Sequence, residues 1–360
     1  MANTNLGKAK TGKNDEFYTQ YCDIQKEMNA YVEYNPDVFR DKTILLPCDD
    51  PEWSNFTKFF ALNFENYGIR KLISTSYAPE SKKIKAWQPT LFETSNPQFD
   101  ADKSKTHGKI FVLDRDMDGD GRINIDDLQW EYLEGDGDFQ SHEVCALRDE
   151  ADIIITNPPF SLFREFMAWI MEADKKFIII GHQNAITYKE VFPLLKDNIM
   201  WLGNGFKGGA GHFISNYEDI ATAGDHRQGM IRVSGVTWFT NLEHGKRHQP
   251  LELMTMEDNI MYSRHKEIQG KGYCHYENFD AIEVPYSDAI PIDYEGMMGV
   301  PITFLDKYCP EQFDIIGISL QLATAKPDNL PKKLQGGPAF YTKQDGELKR
   351  LYGRIVIRKK

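Results

Sequence analysis

No apolar run in this chain approaches the roughly 20 residues that a membrane-spanning helix needs, so none of it reads as a transmembrane segment. The opening stretch, MANTNLGKAKTGKNDEF, has no apolar core of the kind that directs export, and the expected location is the cytoplasm. Cysteine is sparse. Cys22, Cys48, Cys145, Cys274 and Cys309 form an odd set without paired spacing, which excludes a disulfide-stapled scaffold and gives no zinc site. Net positive charge is missing as well. A formal charge of −12 counts at first against a nucleic-acid partner, because phosphate binding uses Lys and Arg to displace condensed counterions. Internal repeats and low-complexity tracts are absent too, which removes solenoids and disordered arrays from consideration.

What is present is an ordinary folding composition, 41% hydrophobic and 27% charged over 360 residues, enough for about two domains. The positive charge, though outweighed, is grouped: Lys8, Lys10 and Lys13; Lys82, Lys83 and Lys85; Lys246 and Arg247; and Lys349, Arg350, Arg354, Arg358, Lys359 and Lys360. Each group is either a solvated face or a DNA-contacting patch. Short runs rich in Ile, Leu and Val alternate with helical stretches, which predicts an α/β core with a mainly parallel sheet. Strands are expected at 43–47, 71–76, 109–114, 152–156, 177–181 and 199–202, and helices at 23–34, 53–66, 163–173 and 187–196. A Gly-rich stretch, GNGFKGGAGHF, then leads to a strand-like segment at 233–240 that reads as a closing hairpin. Beyond about residue 241 the alternation gives way to irregular sequence, which places a domain boundary near residue 245.

The most informative segment is Asn157-Pro158-Pro159-Phe160, directly after the apolar run Ile153-Ile154-Ile155. Two prolines fix φ and remove backbone donors, so the carbonyls around them can point at a ligand. Asn157 Oδ1 and the Pro158 carbonyl can accept from one exocyclic amino group while Phe160 holds the ring that carries it. The same residues also suffice for a strand-to-helix turn with a capping Asn. A transferase acting on an amino nitrogen needs a donor site beside such a lip, and in open α/β sheets that site lies beyond the C-terminal ends of the strands. Asp49 and Asp50, just after the first strand, can bind a donor's ammonium group or simply favour a helix N-terminus. The cluster Asp15-Glu16-Phe17-Tyr18-Thr19-Gln20 can lie over a cofactor or staple the first helix. In Gly135-Asp136-Gly137-Asp138-Phe139, Asp138 can accept from an adenine amino group with Phe139 beside the ring.

Taken in order, DEFYTQYCDI, CDDPEWSNFTKFFALNFEN, GDGDF, TNPPFSLFREF, ITYKEVF and GVPITFLDKYCPEQF resemble the EcoRI-type adenine-specific DNA methyltransferases, from about residue 15 to about 318. The resemblance implies a Rossmann-like class I S-adenosylmethionine-dependent methyltransferase sheet with a C-terminal DNA-recognition region. Residues 1–245 would form the catalytic domain and 246–360 the target-recognition region. The implied reaction moves a methyl group from S-adenosyl-L-methionine to N6 of an adenine flipped out of double-stranded DNA. Its setting would be restriction-modification or phage DNA protection in a prokaryotic or phage-infected cell, with a cognate restriction endonuclease acting on the same site without direct contact. Residue by residue, Asn157, Pro158, Pro159 and Phe160 become the catalytic lip. Phe17, Tyr18, Thr19, Cys48, Asp49, Asp50, Asn55, Asp138 and Phe139 fall on the cofactor side. The chain departs from the wider methyltransferase pattern in having CDDPEWSNF in place of Gly-x-Gly after the first strand. After the second strand, STSYAP offers no carboxylate for the ribose diol and leaves only Ser76 and Tyr77. Transfer to a protein amide or an RNA amino group, and a non-catalytic DNA- or calcium-binding module, are the alternatives.

One further motif competes for attention. Asp116 to Asp127 places oxygen ligands at positions 1, 3, 5, 9 and 12 of a calcium loop, with Gly121 at 6 and Ile123 at 8, though Asp replaces the usual terminal Glu. A β-hairpin from IFVLD to INI is the favoured reading, because no pair of flanking helices is evident, and no metal is expected.

Overall fold

A computed structural model describes residues 18–50, 54–79, 91–206, 209–214, 230–328, 330–344 and 346–360. It divides into two compact units. The first takes the chain through Gln183 together with Leu202–Glu243, and the second takes Asn184–Trp201 with His244–Lys360. The second unit thus claims a segment from inside the stretch 1–245 that the sequence suggests as one domain.

Along the chain run β1 (Tyr18–Thr19), α1 (Tyr21–Tyr34), β2 (Thr43–Leu46), α2 (Asn55–Leu62), β3 (Lys71–Ser76), β4 (Lys109–Leu113), β5 (Gln129–Tyr132), α3 (His142–Glu150), β6 (Ile153–Thr156), α4 (Phe163–Glu172), β7 (Lys176–His182), β8 (Trp201–Leu202), β9 (Ala210–Ile214), β10 (Met230–Ser234) and β11 (Val236–Thr240). The fold is α/β, built on a large mixed sheet ordered β5-β4-β3-β2-β6-β7-β11-β8. The middle four strands, β3-β2-β6-β7, are parallel. Every residue of β2 and β6 is buried, as central strands covered on both faces require.

Helical spacing places Ile24, Met28 and Tyr31 on one face of α1, and all three are fully buried. Ser54 starts α2 by accepting the Phe56 N–H (3.1 Å). That cap turns Phe56, Phe59 and Phe60 into the core, each contributing about 1.5–3 kcal/mol of burial. The helix expected over 53–66 is interrupted. After Leu62, Asn63 Nδ2 donates back to the Phe59 carbonyl (2.8 Å), and one turn later Gly68, at φ 62°, closes the segment in the left-handed region.

Three other expectations need correction. β4 lies where predicted but runs antiparallel to β3, and β5, which the sequence did not suggest, pairs antiparallel with β4. Residues 233–240 are not one strand. They divide at Gly235 (φ 73°), sending β10 to a small antiparallel sheet, β1-β9-β10, and β11 to the edge of β7. The helix expected at 187–196 shrinks to Phe192–Lys196, after a 3-10 turn over Gln183–Thr187.

The second unit is not irregular. It contains α5 (Met256–Tyr262), β12 (Ile282–Glu283), β13 (Met298–Pro301), β14 (Phe313–Ile318), a hairpin of β15 (Tyr341–Gln344) and β16 (Glu347–Arg350), and β17 (Arg354–Lys359). A four-stranded sheet is ordered β12-β13-β17-β14, with Met298, Val300, Ile355, Val356 and Ile357 fully buried. Arg354 forms a two-pronged ion pair with Glu283 (2.7 and 3.0 Å), which the Tyr276 hydroxyl also bonds. Burial, with that carboxylate beside it, pushes the Tyr276 hydroxyl well above the usual tyrosine range. Among the described residues, no helix is long and apolar enough to cross a membrane.

Candidate active site

Because β2, β3 and β6 are parallel, the segments that follow them emerge at one edge of the sheet: Pro47 to Asp50, Ser76 to Ala78, and Asn157 to Phe160. Cys48 adopts φ 68°, a conformation costly for a side chain of any size, and it turns the chain sharply after β2. The turn drives Asp49 inward, where it is 6% exposed. Asp49 Oδ1 accepts from Ser54 Oγ (2.7 Å) and Oδ2 from Thr156 Oγ1 (2.6 Å), and its backbone N–H reaches the Thr75 carbonyl (2.9 Å). Thr156 Oγ1 also bonds the Pro47 carbonyl, and Ser74 Oγ bonds the Asp49 carbonyl. One buried carboxylate therefore joins the helix cap after β2 to the residue that precedes Asn157. Sequence alone could not pair Asp49 with Thr156, 107 positions away.

Thr19, 2% exposed, ties the lip to α2 from the other side. Its carbonyl accepts from Asn55 Nδ2 (2.7 Å), and its hydroxyl accepts from Asn157 Nδ2 (3.3 Å). The Asn157 amide is thereby held with its nitrogen toward Thr19 and its acceptor, Oδ1, on the opposite side. Pro158 is buried, Pro159 half-buried, and Phe160 is 4% exposed within the core of the first unit. Beside Thr19, the buried Gln20 Nε2 has no hydrogen-bond partner among the described residues. Tyr18 pairs with Ile214 in the small sheet. Phe17, also expected on the cofactor side, lies outside the described residues.

The Gly135–Phe139 turn sits on the end of β3. The Ala78 N–H donates to the Asp136 carbonyl (2.7 Å), and Gly137, at φ 81°, lies so close that a Cβ there would collide with the Ser76 carbonyl oxygen. Asp138 accepts the Gln140 N–H (2.8 Å) through Oδ1 and remains half-buried. Phe139 packs edge-on against Phe166 (5.1 Å) and Trp169 (5.6 Å) of α4. Ser76 Oγ accepts the Lys109 N–H (3.2 Å), so that hydroxyl is already engaged by β4. Nearby, Lys109 and Glu93 form a buried ion pair (2.9 Å) that sequence reading missed, and burial pushes the neighbouring Tyr132 hydroxyl up to about 12.

Another buried carboxylate was missed. Glu27, 1% exposed on α1, accepts from Tyr31 Oη (2.9 Å) and from the backbone N–H groups of Asn204 (2.8 Å) and Gly205 (3.0 Å). It fixes the start of the Gly-rich segment, whose Phe206 stacks on Trp238 (5.5 Å). A glutamate at a helix-face position otherwise occupied by Ile24, Met28 and Tyr31 was the available sequence signal.

The Asp116–Asp127 loop folds as neither strand of the predicted hairpin beyond Leu113, since β5 begins only at Gln129. Carboxylate oxygens of Asp116, Asp118 and Asp120 gather within 4.8 Å of one another. Asp127 turns to the backbone, accepting N–H groups of Met117 (2.6 Å), Asn124 (2.9 Å) and Asp118 (3.2 Å), which hold its carboxyl below the usual range.

The chain matches known proteins along nearly its whole length. A family model described as Adenine-specific methyltransferase EcoRI matches residues 5–360. The Type II methyltransferase M.EcoRI of Escherichia coli is 41% identical over 316 residues, covering 86% of this chain and 88% of that protein. The Type II methyltransferases M.MpnI of Mycoplasma pneumoniae and M.MgeORF184P of Mycoplasma genitalium are each 30% identical over 366 residues, covering 98–99% of this chain and 98% of theirs. No solved structure matches.

Proposed function

This chain belongs to the EcoRI family of adenine-specific methyltransferases, and from that membership we propose that it transfers a methyl group from S-adenosylmethionine to N6 of an adenine turned out of duplex DNA. The observation that carries the reading is the fixed Asn157 amide at the end of β6, oriented by Thr19 and braced through Thr156 by Asp49. The parallel run β3-β2-β6-β7, followed by antiparallel β11, supports a Rossmann-like class I sheet, with ligands beyond the C-terminal strand ends.

The residues at that edge fit S-adenosylmethionine. Both Asp49 oxygens accept from hydroxyls, so Asp49 acts as a brace and the ammonium falls to Asp50. Gln20 Nε2 supplies a buried donor next to Thr19, and Asp138 offers an acceptor to the adenine amino group, with Phe139 forming the wall toward α4. When bound, the cofactor supplies an electrophilic methyl on a sulfonium. Asn157 Oδ1 and the Pro158 carbonyl accept from N6 and stabilise the positive charge that develops there as the nitrogen attacks. Buried Phe160 must present a ring face as the base enters, which makes stacking part of base entry. No covalent intermediate on the protein is required.

The second unit provides the target-recognition surface, within residues 246–360. The activity belongs to restriction-modification in the bacterial cytoplasm, beside an endonuclease that cuts the same site when it is unmethylated. Incubation with labelled S-adenosylmethionine and duplex DNA, RNA or protein tests the assignment. Label is expected on N6 of adenine in the duplex; label on RNA or protein alone, or on nothing, overturns it.

A further inference from the structure

The last 35 residues, 326–360, carry ten Lys and Arg against three Asp and Glu, a surplus of seven in a chain whose net charge is −12. The structure sorts these cations into two kinds. Arg354 is buried against Glu283, Lys359 Nζ donates to the Ile292 carbonyl (2.6 Å), and Lys360 pairs with Asp314 (3.5 Å). By contrast, Arg358, Lys326, Lys332, Lys333, Lys343, Lys349 and Arg350 are all exposed, and none is paired with a carboxylate among the described residues, although Lys349 Nζ donates to Gln344 Oε1 (3.0 Å) and Arg350 to the Gly337 carbonyl (3.1 Å).

The last three of those lie on the β15–β16 hairpin, which joins no larger sheet. Its base is anchored: Tyr341 and Thr342 are buried, the Glu277 N–H donates to the Tyr341 carbonyl (2.8 Å), and the Tyr341 N–H donates to Asn278 Oδ1 (3.1 Å). Phe340, just before it, packs on Tyr276 (4.5 Å) and Phe279 (4.8 Å). Beyond Thr342 the hairpin is solvated, and Gly346 at φ 81° closes its turn. Four residues per strand extend about 13 Å, and the major groove, about 12 Å wide, admits a two-stranded ribbon. Lysines also stop an exposed strand edge from pairing with another chain. Edge protection does not account for Lys326, Lys332 and Lys333, which lie outside either strand.

We propose that the β15–β16 hairpin, with Lys326, Lys332 and Lys333 on its approach, is the surface that docks duplex DNA, entering the major groove as a ribbon with its cations on the phosphates. The proposal rests on the reading that the chain acts on duplex DNA and names the element that engages it. An acidic protein approaching a polyanion needs such a local reversal of sign, and uncompensated cations on an anchored ribbon provide it.

The test measures duplex affinity against salt for the whole chain and for K332Q/K333Q/K343Q. None of these lysines makes a side-chain bond among the described residues, so the variant is expected to fold, and its thermal midpoint checks that. Counterion release predicts binding weaker by about a hundredfold at 0.1 M salt and a log–log salt slope shallower by about 2 to 3. Equal affinity and slope in wild type and variant overturn the hairpin assignment alone. So does an equal change in K196Q/K266Q/K271Q, which removes the same charge from exposed lysines on other elements of the second unit. A wild-type chain that binds no duplex sinks the methyltransferase reading and the hairpin with it.

Discussion

The polar groups at the strand ends of the first unit and the cations at the end of the second obey opposite rules. Asp49, Ser54 and Thr156 are buried and bonded to one another, and buried Thr19 bonds Asn55 and Asn157, so their geometry is set before any ligand arrives. Lys332, Lys333 and Lys343 are exposed and uncompensated by any carboxylate among the described residues. Chemistry on a single nitrogen atom rewards preorganised acceptors. Capture of a long, uniform polyanion rewards charges left in water, where the phosphates themselves become the partners. The contrast also holds within the basic C-terminal run, since Arg354 is buried against Glu283 whereas Lys349 and Arg350 are exposed with no carboxylate partner among the described residues.

That contrast can be broken at its buried members first. Glu283→Ala leaves the Arg354 guanidinium buried and unpaired, and should cost about 3–5 kcal/mol in urea unfolding of the second unit. A loss below 1 kcal/mol would mean that the pair is not a structural element. Asn157→Ala removes the proposed acceptor for N6, and methyl transfer should fall about 10²- to 10³-fold while calorimetric binding of S-adenosylmethionine stays near wild type. Undiminished turnover in that variant would sink the lip. Thr156→Val strips the hydroxyl that Asp49 holds, costing about 1–3 kcal/mol of stability through the unsatisfied carboxylate oxygen. Turnover should drop more than cofactor affinity, because the displaced residue is next to Asn157. The smallest effect belongs to the surface. Hydrogen bonds from Cys309 and His248 hold the Glu311 carboxyl at about 2, below its usual 4.5. A depressed carboxyl contributes stability above its unfolded value and loses it as pH falls through the folded one, so this contribution should vanish between about pH 4.5 and 2. Because Glu311 is largely exposed, Glu311→Gln should change the unfolding free energy at pH 7 by well under about 1 kcal/mol.

Much of the first unit was legible because its central strands are continuous apolar runs. TILL, LIST, IIIT and FIII all became sheet, and Phe56, Phe59 and Phe60 packed as their spacing predicts. Strand direction was not legible. Nothing in KIFVL distinguishes a parallel neighbour from the antiparallel β4 it forms. The second unit was misread because β14, FDIIGI, alternates between buried and half-buried positions and β17 ends in cations, which mimics irregular polar sequence. At the site, Asn157, Thr19, Asn55 and Asp49 were named from sequence and meet in space. The role of Asp49 was not legible, because its partner Thr156 lies on another strand. The distant partners of Glu27 were not legible for the same reason, since they are backbone N–H groups almost 180 positions away, although its place on the apolar face of α1 was.

Thr19 is one half of a doubled fastening. One residue meets Asn55 through its carbonyl and Asn157 through its hydroxyl, so β1 fastens the start of α2 to the residue after β6, alongside the Asp49 link from Ser54 to Thr156. The start of α2 and Asn157 are thus joined by two separate links, and the separation on which the proposed in-line transfer depends has redundant support.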